Sequence, residues 1–266
     1  MIPTIGFVLL THHKPHMIRR LIDKLNAMFD HPPIACHHDF SKSDLPLKTL
    51  PANVSLVAPH VEISWGEFGE VEGTARALRL LYENPASPDW FVLLSGTDYP
   101  IKPAQHILQD FKLSSFDAYI HCELIQAGAF KHPWQELCYQ RYYRKDPNFF
   151  SSEFKCYAGH QWFCANRRAA EYLVEFHATK TALAEHYRDV VHASESYFQC
   201  VLANAPHLKL NNETWRYIDW SAGGPHPKTL GILDLPKLLA SHAHFARKFD
   251  ADTDASILDE LDALTS

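Results

Sequence analysis

The chain lacks the features that mark several large classes of protein. Its six cysteines include no C-x-x-C pair, so neither a zinc finger nor a disulfide scaffold is indicated, and we expect reduced thiols. No apolar run approaches the roughly 20 residues that span a bilayer, and no basic and then apolar leader opens the chain. Internal repeats and low-complexity segments are also absent. We therefore expect a soluble, cytoplasmic protein.

Positive charge is scarce as well. The formal net charge is −6, whereas a nucleic-acid-binding protein needs a basic face that neutralises phosphates. An anionic ligand must then find a local basic pocket. With 266 residues, 46% of them hydrophobic, the chain can bury its core in one globular domain.

Histidine, by contrast, is abundant. The 18 histidines include the pairs His12-His13 and His37-His38 and the spacing His242-x-His244. Adjacent residues of a strand point to opposite faces, so a pair on a strand cannot chelate a metal with both rings. We expect no metal site. The competing hypothesis of a histidine-ligated metal hydrolase would require a stoichiometric bound metal.

Apolar runs and helical periods alternate through the first half of the chain. The predicted strands are Ile5–Leu10, Ile34–His37, Val54–Val57, Trp90–Leu94 and Phe116–Ile120. The predicted helices begin at Pro15, after Trp65-Gly66-Glu67 (ending at Asn84-Pro85) and at Pro103. This alternation predicts an α/β fold with a doubly wound, mostly parallel sheet.

The stretch Trp90–Leu94 is the predicted central strand. Five apolar residues in a row, between Pro88 and Ser95-Gly96, are typical of a parallel strand buried on both faces. Asp98 follows directly, and open α/β sheets bind ligands at the carboxyl ends of their strands. The alternative is that Asp98 only shapes the turn through local hydrogen bonds.

The second half is less regular. Residues 121–156 mix aromatic and basic side chains without a clear period, which indicates an irregular insertion, either a functional loop or a solvated one with some aromatic packing. The predicted elements after it are a strand at Tyr157–Cys164, a helix capped by Asn166, a helix starting at Ser194, a strand at Trp215–Trp220, a rigid turn at Ser221–Lys228, a helix from Asp234 through Phe245 to Arg247-Lys248, and a last helix with Ile257, Leu258 and Leu261.

Six blocks of sequence carry a resemblance to a known family. They are Trp65-Gly66, Leu94–Ile101 (LSGTDYPI), Gly159–Phe163 (GHQWF), Ser194–Gln199 (SESYFQ), Tyr217–Pro227 and Phe245–Asp250 (FARKFD). In this order they resemble the core-2/I-branching enzymes, glycosyltransferases that include β-1,6-N-acetylglucosaminyltransferases and peptide O-xylosyltransferases. The resemblance runs from Ile5 to about Leu261.

The resemblance implies a GT-A-like fold, with a Rossmann-type, mostly parallel central sheet flanked by helices in a single domain. Residues 1–120 would form the nucleotide-binding half and residues 121–266 the acceptor-binding and catalytic half. It also implies inverting transfer from a UDP-sugar, of the UDP-GlcNAc or UDP-xylose type, to a hydroxyl of a glycan, with no divalent metal and no other cofactor. Asp250-x-Asp252-x-Asp254 follows Lys248 rather than a central strand, so we interpret it as capping and solvated charge.

Inverting transfer needs a carboxylate that takes the proton of the attacking hydroxyl. Glu195 matches the catalytic glutamate of the branching enzymes, and a helix start would keep it ionised. The alternative is that it merely stabilises the helix end. Asp98 is the second candidate base, because the resemblance to the xylosyltransferases implies that this loop aspartate faces the acceptor.

The reaction also needs positive charge at the departing diphosphate. The resemblance assigns this task to Lys248, Arg247 and Lys228; the family can have arginine at the last position, and the alternative for Lys228 is a solvated surface lysine. Nucleoside contacts are expected from residues at the ends of the first two strands. These are Thr11, His12 and Asp39.

The acceptor sugar is expected on the other half. Trp215 and Tyr217 match positions where the family packs that sugar, although an aromatic pair at this spacing is as often sheet core. Glu123 and Lys131 are candidates for hydrogen bonds to acceptor hydroxyls. The expected acceptor is a glycan or lipid-linked glycan, handled by a bacterial-type cytoplasmic enzyme with peripheral membrane association at most. A non-catalytic nucleotide-sugar or glycan-binding module on the same fold is the alternative.

Overall fold

A computed structural model describes residues 1–83, 86–128, 130–224 and 226–265. The strands are β1 (Ile5–Thr11), β2 (Ile34–His38), β3 (Val54–Leu56), β4 (Trp90–Ser95), β5 (Asp98–Pro100), β6 (Ala118–Tyr119), β7 (Glu123–Leu124), β8 (Tyr157–Ala158), β9 (Cys164–Asn166), β10 (Leu210–Asn211), β11 (Arg216–Ile218) and β12 (Phe245–Arg247).

The α-helices are α1 (Pro15–Phe29), α2 (Gly69–Tyr82), α3 (Ala104–Leu113), α4 (Pro133–Cys138), α5 (Arg167–Thr179), α6 (Thr181–Tyr187), α7 (Tyr197–Ala203), α8 (Leu235–Ala240) and α9 (Ser256–Leu264). A π-helical turn, Tyr139–Tyr143, continues α4, and short 3-10 turns lie at Leu47–Thr49, Ala193–Glu195 and Ile232–Asp234.

The main sheet has the strand order β10-β6-β9-β4-β1-β2-β3 across the described ranges, so β4 is its middle strand, as predicted. The neighbours β4, β1, β2 and β3 are parallel, whereas β9 lies antiparallel between β4 and β6. A smaller sheet has the order β11-β12-β5, and β7 pairs with β8. A parallel strand at the centre needs helices on both faces to bury it.

Side-chain alternation along the strands divides the core into two layers. On β1, Phe7 and Leu9 join α1, α3 and α9 in one hydrophobic cluster, while Val8 faces α2, α5 and α7 in the other. This is the period of two that a strand requires. The predicted class, a GT-A-like α/β fold with a mostly parallel sheet flanked by helices in a single domain, is confirmed.

The sheet order reverses at β1. The chain runs from β1 to β2 and β3 on one side, and β4 lies on the other side. Such a switch point leaves a crevice outside the carboxyl ends of the two central strands. Here those ends carry Thr11-His12 after β1 and Gly96-Thr97 after β4.

Two predicted elements in the second half are wrong. The run at Tyr157–Cys164 is broken into β8 and β9, because its middle residues leave the sheet and border a cleft. The helix predicted to continue through Phe245 ends at Ala240, and Phe245–Arg247 forms β12, paired with β11 and β5. A three-residue strand between distant partners has no local signature.

The Ser194 segment also differs from its prediction. Ala193–Glu195 is a separate 3-10 turn, and α7 begins at Tyr197 without a side-chain cap. The insertion 121–156 is partly ordered as β7, α4 and the π-helical turn rather than wholly irregular. Asn166 caps α5 as predicted, its side chain accepting a hydrogen bond from the backbone N–H of Ala169. The predicted helix end at Asn84-Pro85 and Pro225 of the rigid turn lie outside the described residues.

Within the described ranges, no helix has the length and apolar character needed to cross a membrane.

Candidate active site

A cleft of about 1020 Å³ opens at the switch point. It is lined by the end of β1 and the loop after β4, by the 3-10 turn that carries Glu195, and by the end of β12 with Arg247 and Lys248. We call the last two of these parts the walls of the cleft. Glu195 and Lys248 therefore border the same cavity. The sequence analysis predicted from separate motifs that these two residues work together.

The turn that carries Glu195 is held by backbone hydrogen bonds on both sides. The N–H of His192 donates to the carbonyl of Gly66 at 2.5 Å, and the hydroxyl of Tyr142 donates to the carbonyl of His192 at 2.9 Å. The hydroxyl of Ser194 donates to Glu70 at 2.6 Å. Because four different segments fix this single turn, the direction of the 195 side chain is well defined.

Gly159, in the fourth of these segments, supports residue 195 itself. Its N–H donates to the carbonyl of Glu195 at 2.8 Å. A Cβ at position 159 would lie 1.7 Å from the carbonyl oxygen of His121, far inside contact distance. Only glycine allows the two backbones to approach this closely.

The carboxyl of Glu195 is surrounded by protein although it faces the cleft. Burial raises its pKa from 4.5 to about 7; the guanidinium of Arg141 opposes this rise, and the nearby carboxyl of Glu70 adds to it. Arg141 lies 3.7 Å from Glu195, too far for a close ion pair. The expectation that a helix start keeps Glu195 ionised is wrong, because α7 does not begin there and burial dominates. A pKa near 7 suits a general base.

Lys248 is an available cation on the β12 wall of the cleft. No carboxylate oxygen of the described chain lies within 4 Å of its ammonium. Burial lowers its pKa, and the neighbouring Arg247 lowers it further. Arg247 packs its guanidinium 4.3 Å from the ring centre of Trp162, and its Nε lies 3.5 Å from Asp98. An unpaired lysine beside an arginine is suited to bind an anion.

Asp98 does not reach the cleft. Its side chain is fully buried and accepts hydrogen bonds from Arg216 and from both the N–H and the hydroxyl of Ser95. Arg216 in turn donates to the carbonyl of Leu93 at 2.9 Å. The oxygens of Asp98 are therefore occupied by hydrogen bonds. This agrees with the alternative interpretation of the sequence, in which Asp98 shapes the loop after β4. It also holds the arginines of β11 and β12.

Of the three residues predicted to contact the nucleoside, two line the cleft and one lies behind its surface. Thr11 and His12 line the cleft. Asp39 does not; its fully buried carboxylate accepts a hydrogen bond from the N–H of Ile63 at 2.8 Å and two from Ser41. Since Ile63 does border the cleft, Asp39 holds a cleft loop in place.

Lys228 lies outside the cleft lining and is paired with Asp234 at 2.6 Å. The pKa of Lys228 is raised by this hydrogen bond. The structure thus places it in a local ion pair rather than beside Lys248.

The predicted acceptor residues are also outside the cleft. Trp215 stacks on Tyr119 with ring centres 3.7 Å apart, which is the sheet-core alternative, and Ile218 rather than Tyr217 faces the cavity from β11. Glu123 accepts hydrogen bonds from His132 at 3.1 Å and Gln135 at 2.6 Å. Lys131 is exposed, and its backbone N–H donates to Gln135.

Several cleft residues had no predicted role. Trp65 is 64% exposed, with the rings of His192 and His226 at 4.4 and 5.8 Å, and it was noted only as part of a family block. The mixture of aromatic and basic residues in the insertion is a signal for Trp134 and Arg141, and the insertion does send side chains into the cavity. His160, Trp162 and Trp220 belong to blocks that carry the family resemblance. The unpredicted lining residues include Glu70, Trp134, Leu137, Arg141, His160, Trp162 and Trp220.

The Asp250-x-Asp252-x-Asp254 run is occupied by protein contacts. Lys14 pairs with Asp250 and, at 3.1 Å, with Asp252. Asp254 accepts from the N–H of Ile232 at 2.8 Å and from Ser256. The three carboxylates thus hold the chain around the start of α9 in place.

Most of the chain, up to a point just before β12, matches a known family. The family model of the Core-2/I-Branching enzyme matches residues 5–239. The chain therefore belongs to the core-2/I-branching enzyme family.

Its curated relatives are named as glycosyltransferases. Beta-glucuronosyltransferase GlcAT14A of Arabidopsis thaliana is 25% identical over 211 residues, covering 72% of this chain and 46% of that protein. The Bos taurus beta-1,3-galactosyl-O-glycosyl-glycoprotein beta-1,6-N-acetylglucosaminyltransferase is 23% identical, covering 97% and 68%. Xylosyltransferase 1 of Homo sapiens is 22% identical, covering 94% and 28%. The chain spans about half the length of the Arabidopsis relatives that it matches.

Similar solved structures are more distant. Mouse xyloside xylosyltransferase 1 has a TM-score of 0.44 at 10% identity, covering 91% of this chain and 97% of that one. The galactosyltransferase LgtC, in complex with donor and acceptor sugar analogues, has a TM-score of 0.43 at 12% identity, covering 98% and 96%.

Proposed function

We propose that this protein is an inverting glycosyltransferase that moves a sugar from a UDP-sugar, of the UDP-GlcNAc or UDP-xylose type, to a hydroxyl of a glycan acceptor without a divalent metal. One observation carries the proposal. A carboxyl with a pKa near 7 and a lysine without a carboxylate partner border the same cleft, at the point where an open α/β sheet binds ligands. Membership of the core-2/I-branching family supports it.

The proposed step is a single displacement. The oxygen of the acceptor hydroxyl forms a bond to the anomeric carbon while the bond from that carbon to the diphosphate breaks. Glu195 takes the hydroxyl proton, so it must be ionised at the start of the step. The electron pair of the broken bond stays on the diphosphate, where Lys248 and Arg247 offset the developing negative charge. Asp98 serves this step indirectly by fixing Arg247.

Lys228 has no assigned contact in this proposal, because it would first have to leave Asp234. Arg141 tunes Glu195 in the free protein, because it is the nearest cation to that carboxyl.

Flat apolar surfaces suit the two sugars and the base. Trp65, exposed and in contact with the imidazoles of His192 and His226, offers a stacking face in the cleft that Thr11 and His12 also line, and we assign it to the nucleoside. Trp134 and Trp220, which also line the cleft, replace Trp215 and Tyr217 as our candidates for the acceptor sugar.

A donor-hydrolysis screen tests the proposal. Purified protein is given a panel of UDP-sugars, and UDP release is measured with and without a chelator during a short incubation. We expect slow release from one donor, unaffected by chelator, and a loss of about 10² to 10³ in rate in Lys248→Met. Lys237→Met, a change at an exposed lysine, is the matched control.

The outcomes separate the candidate functions. Binding of a UDP-sugar without UDP release, even with glycan acceptors added, would indicate the non-catalytic binding module instead. Release that requires added metal would contradict the metal-independent step. Cell fractionation tests the cytoplasmic location that we predict, and an acceptor screen with free and lipid-linked glycans tests the partner.

A further inference from the structure

A second group of polar side chains lies away from the cleft, between α3 and β12. His106 and Asp110 are one turn apart on α3, and His244 directly precedes β12. One ligand atom from each, Nε2 of both histidines and a carboxylate oxygen, lies within 4.8 Å of the other two. None of the three lines the cleft. In the described part of the chain, this is the one such group of three.

The three side chains converge on one point. Nε2 of His244 is 2.8 Å from Oδ2 of Asp110, and Nε2 of His106 is 3.3 Å from the same oxygen. The His244 side chain is almost fully buried, whereas His106 is half exposed and Asp110 one third exposed. The group therefore has one rigid member, set into the protein, and an open side toward solvent.

This donor set is suited to a divalent transition metal. Two imidazole nitrogens and one carboxylate oxygen form a common three-ligand set for Zn²⁺, with water in the fourth position. Tetrahedral ligands at zinc distances lie about 3.3 Å apart. His106 would have to rotate about its side-chain bonds to close the remaining gap, and its half-exposed position leaves room on the solvent side.

The backbone elements that carry the three side chains are well fixed. His106 and Asp110 share a regular helix, and that spacing places them on one face. The backbone N–H of His244 donates to the carbonyl of Trp215 at 2.9 Å, and the rings of these two residues are 4.1 Å apart. A metal here would join α3 to the strand that ends in Arg247 and Lys248.

We propose that His106, Asp110 and His244 form a binding site for one Zn²⁺-class metal ion, which fastens α3 to β12 and takes no part in the transfer step. The competing explanation is that Asp110 simply accepts hydrogen bonds from two neutral histidines. The two explanations differ in whether added metal binds at this position.

Metal titration of the full, untagged chain tests the site. After treatment with chelator and its removal, Zn²⁺ is added in competition with a chromophoric chelator, and Co²⁺ is added in parallel to record its visible spectrum. We expect one tight equivalent in the wild type and in His242→Ala, an exposed histidine two residues from His244 that serves as the control. His106→Ala should bind at least about tenfold more weakly.

Thermal unfolding gives an independent measurement. Zn²⁺ at about 100 times its dissociation constant should raise the melting temperature by roughly 5 °C in the wild type and in His242→Ala, because the metal binds only the folded state. His106→Ala should show no such rise. Because His106 is half exposed, this variant should fold.

Equal Zn²⁺ affinity in the wild type and His106→Ala would overturn the proposal, as would a Zn²⁺-dependent stabilisation that survives in His106→Ala. The proposal does not depend on the transferase activity, since the readouts are binding and unfolding.

Discussion

The two acidic groups of the candidate machinery, Glu195 and Asp98, lie in opposite environments. Asp98 is fully buried and accepts hydrogen bonds from two neighbours, with a second arginine at 3.5 Å. Glu195 is about one third exposed, has its nearest cation at 3.7 Å, and has a pKa raised to about 7. A buried carboxylate with full hydrogen bonding stabilises structure, whereas a desolvated one with a loose partner is free to exchange a proton.

The difference between the two walls of the cleft follows the same logic. On the β12 wall, Asp98 fixes the direction of Arg247, and no carboxylate oxygen of the described residues lies within 4 Å of the Lys248 ammonium. On the other wall, hydrogen bonds hold the 192–195 turn, while the carboxyl of Glu195 has the Tyr142 hydroxyl as a hydrogen-bonding neighbour and Arg141 at 3.7 Å. The supports of both walls are thus more fully paired than the two groups that we assign to the reaction.

Removing the available carboxyl should have the largest effect. We expect Glu195→Gln to lower the rate of transfer by about 10² to 10⁴, because the proton acceptor is lost. The initial rate with the donor found in the UDP-release screen measures this. Glu153→Gln, at an exposed glutamate outside the cleft, should retain full activity. A nearly unchanged rate of transfer in Glu195→Gln would show that Glu195 is not the base.

Removing the occupied carboxyl should instead damage the fold. Asp98→Asn leaves Arg216 and Arg247 without their counter-charge inside the protein, and we expect a loss of about 3 to 5 kcal/mol in the free energy of unfolding. Urea unfolding measures it. The control is Asp23→Asn, which breaks the surface pair with Arg19 and should cost less than about 1 kcal/mol. Similar losses in the free energy of unfolding in the two variants would mean that the buried ion pair contributes no more to stability than the surface pair.

Weakening the partner of Glu195 should shift the pH profile. Glu195 must be ionised, so kcat/KM should rise as the pH increases through about 7. Arg141 lowers the pKa of Glu195, so Arg141→Met should move this rise to higher pH. At pH 6 we expect a loss of roughly two- to fivefold, because a partly exposed ion pair is worth about 0.5 to 1 kcal/mol.

The two variants Arg141→Met and Arg144→Met separate tuning from substrate binding. At pH 9 the carboxyl is ionised with or without Arg141, so activity should recover to near the wild-type value. Arg144, exposed and bound to Gln140 at 2.8 Å, is the control and should leave the profile unchanged. An equal loss at pH 6 and pH 9 would show that Arg141 contacts the substrate instead.

A similarly small effect concerns the stability of the protein. The pKa of Glu195 is higher in the folded state than its ordinary 4.5, so ionisation is costly in the folded protein. On this account, stability falls as the pH rises from about 4.5 to about 7. Glu195→Gln should therefore be more stable than the wild type at pH 8 but not at pH 4. Because the carboxyl is one third exposed, we expect only about 1 kcal/mol, measured by urea unfolding at both values.

The first half of the fold could be predicted because its signals are local. The apolar run of β4 predicts a buried strand, and the helical period of α1 predicts a helix, without reference to distant residues. The cap at Asn166 is equally local. By contrast, β12 exists because β5 and β11 offer it backbone partners, and a three-residue segment does not show such distant pairing in its own sequence.

The candidate site was predictable in part for a similar reason. Motifs located Glu195 and Lys248, which the fold brings to one cleft. They could not show that Asp98, Asp39 and Trp215 have structural roles outside the cleft. Whether a polar side chain is hydrogen-bonded, or an aromatic ring is packed in the core, depends on neighbours that are distant in the sequence. Nor could they reveal Glu70 or Arg141, whose relevance comes from their distance to Glu195.

The close approach at Gly159 limits how this domain can be altered. Segments 121–123 and 157–161 touch through their main chains there, with no room for even one methyl group. An exchange of the insertion 121–156 with that of a relative would have to include residues 157–161, so that both segments are transferred together. A graft of the insertion alone would combine two segments that do not fit each other at Gly159. The backbone of Gly159 is hydrogen-bonded to Glu195, the residue on which turnover is proposed to depend.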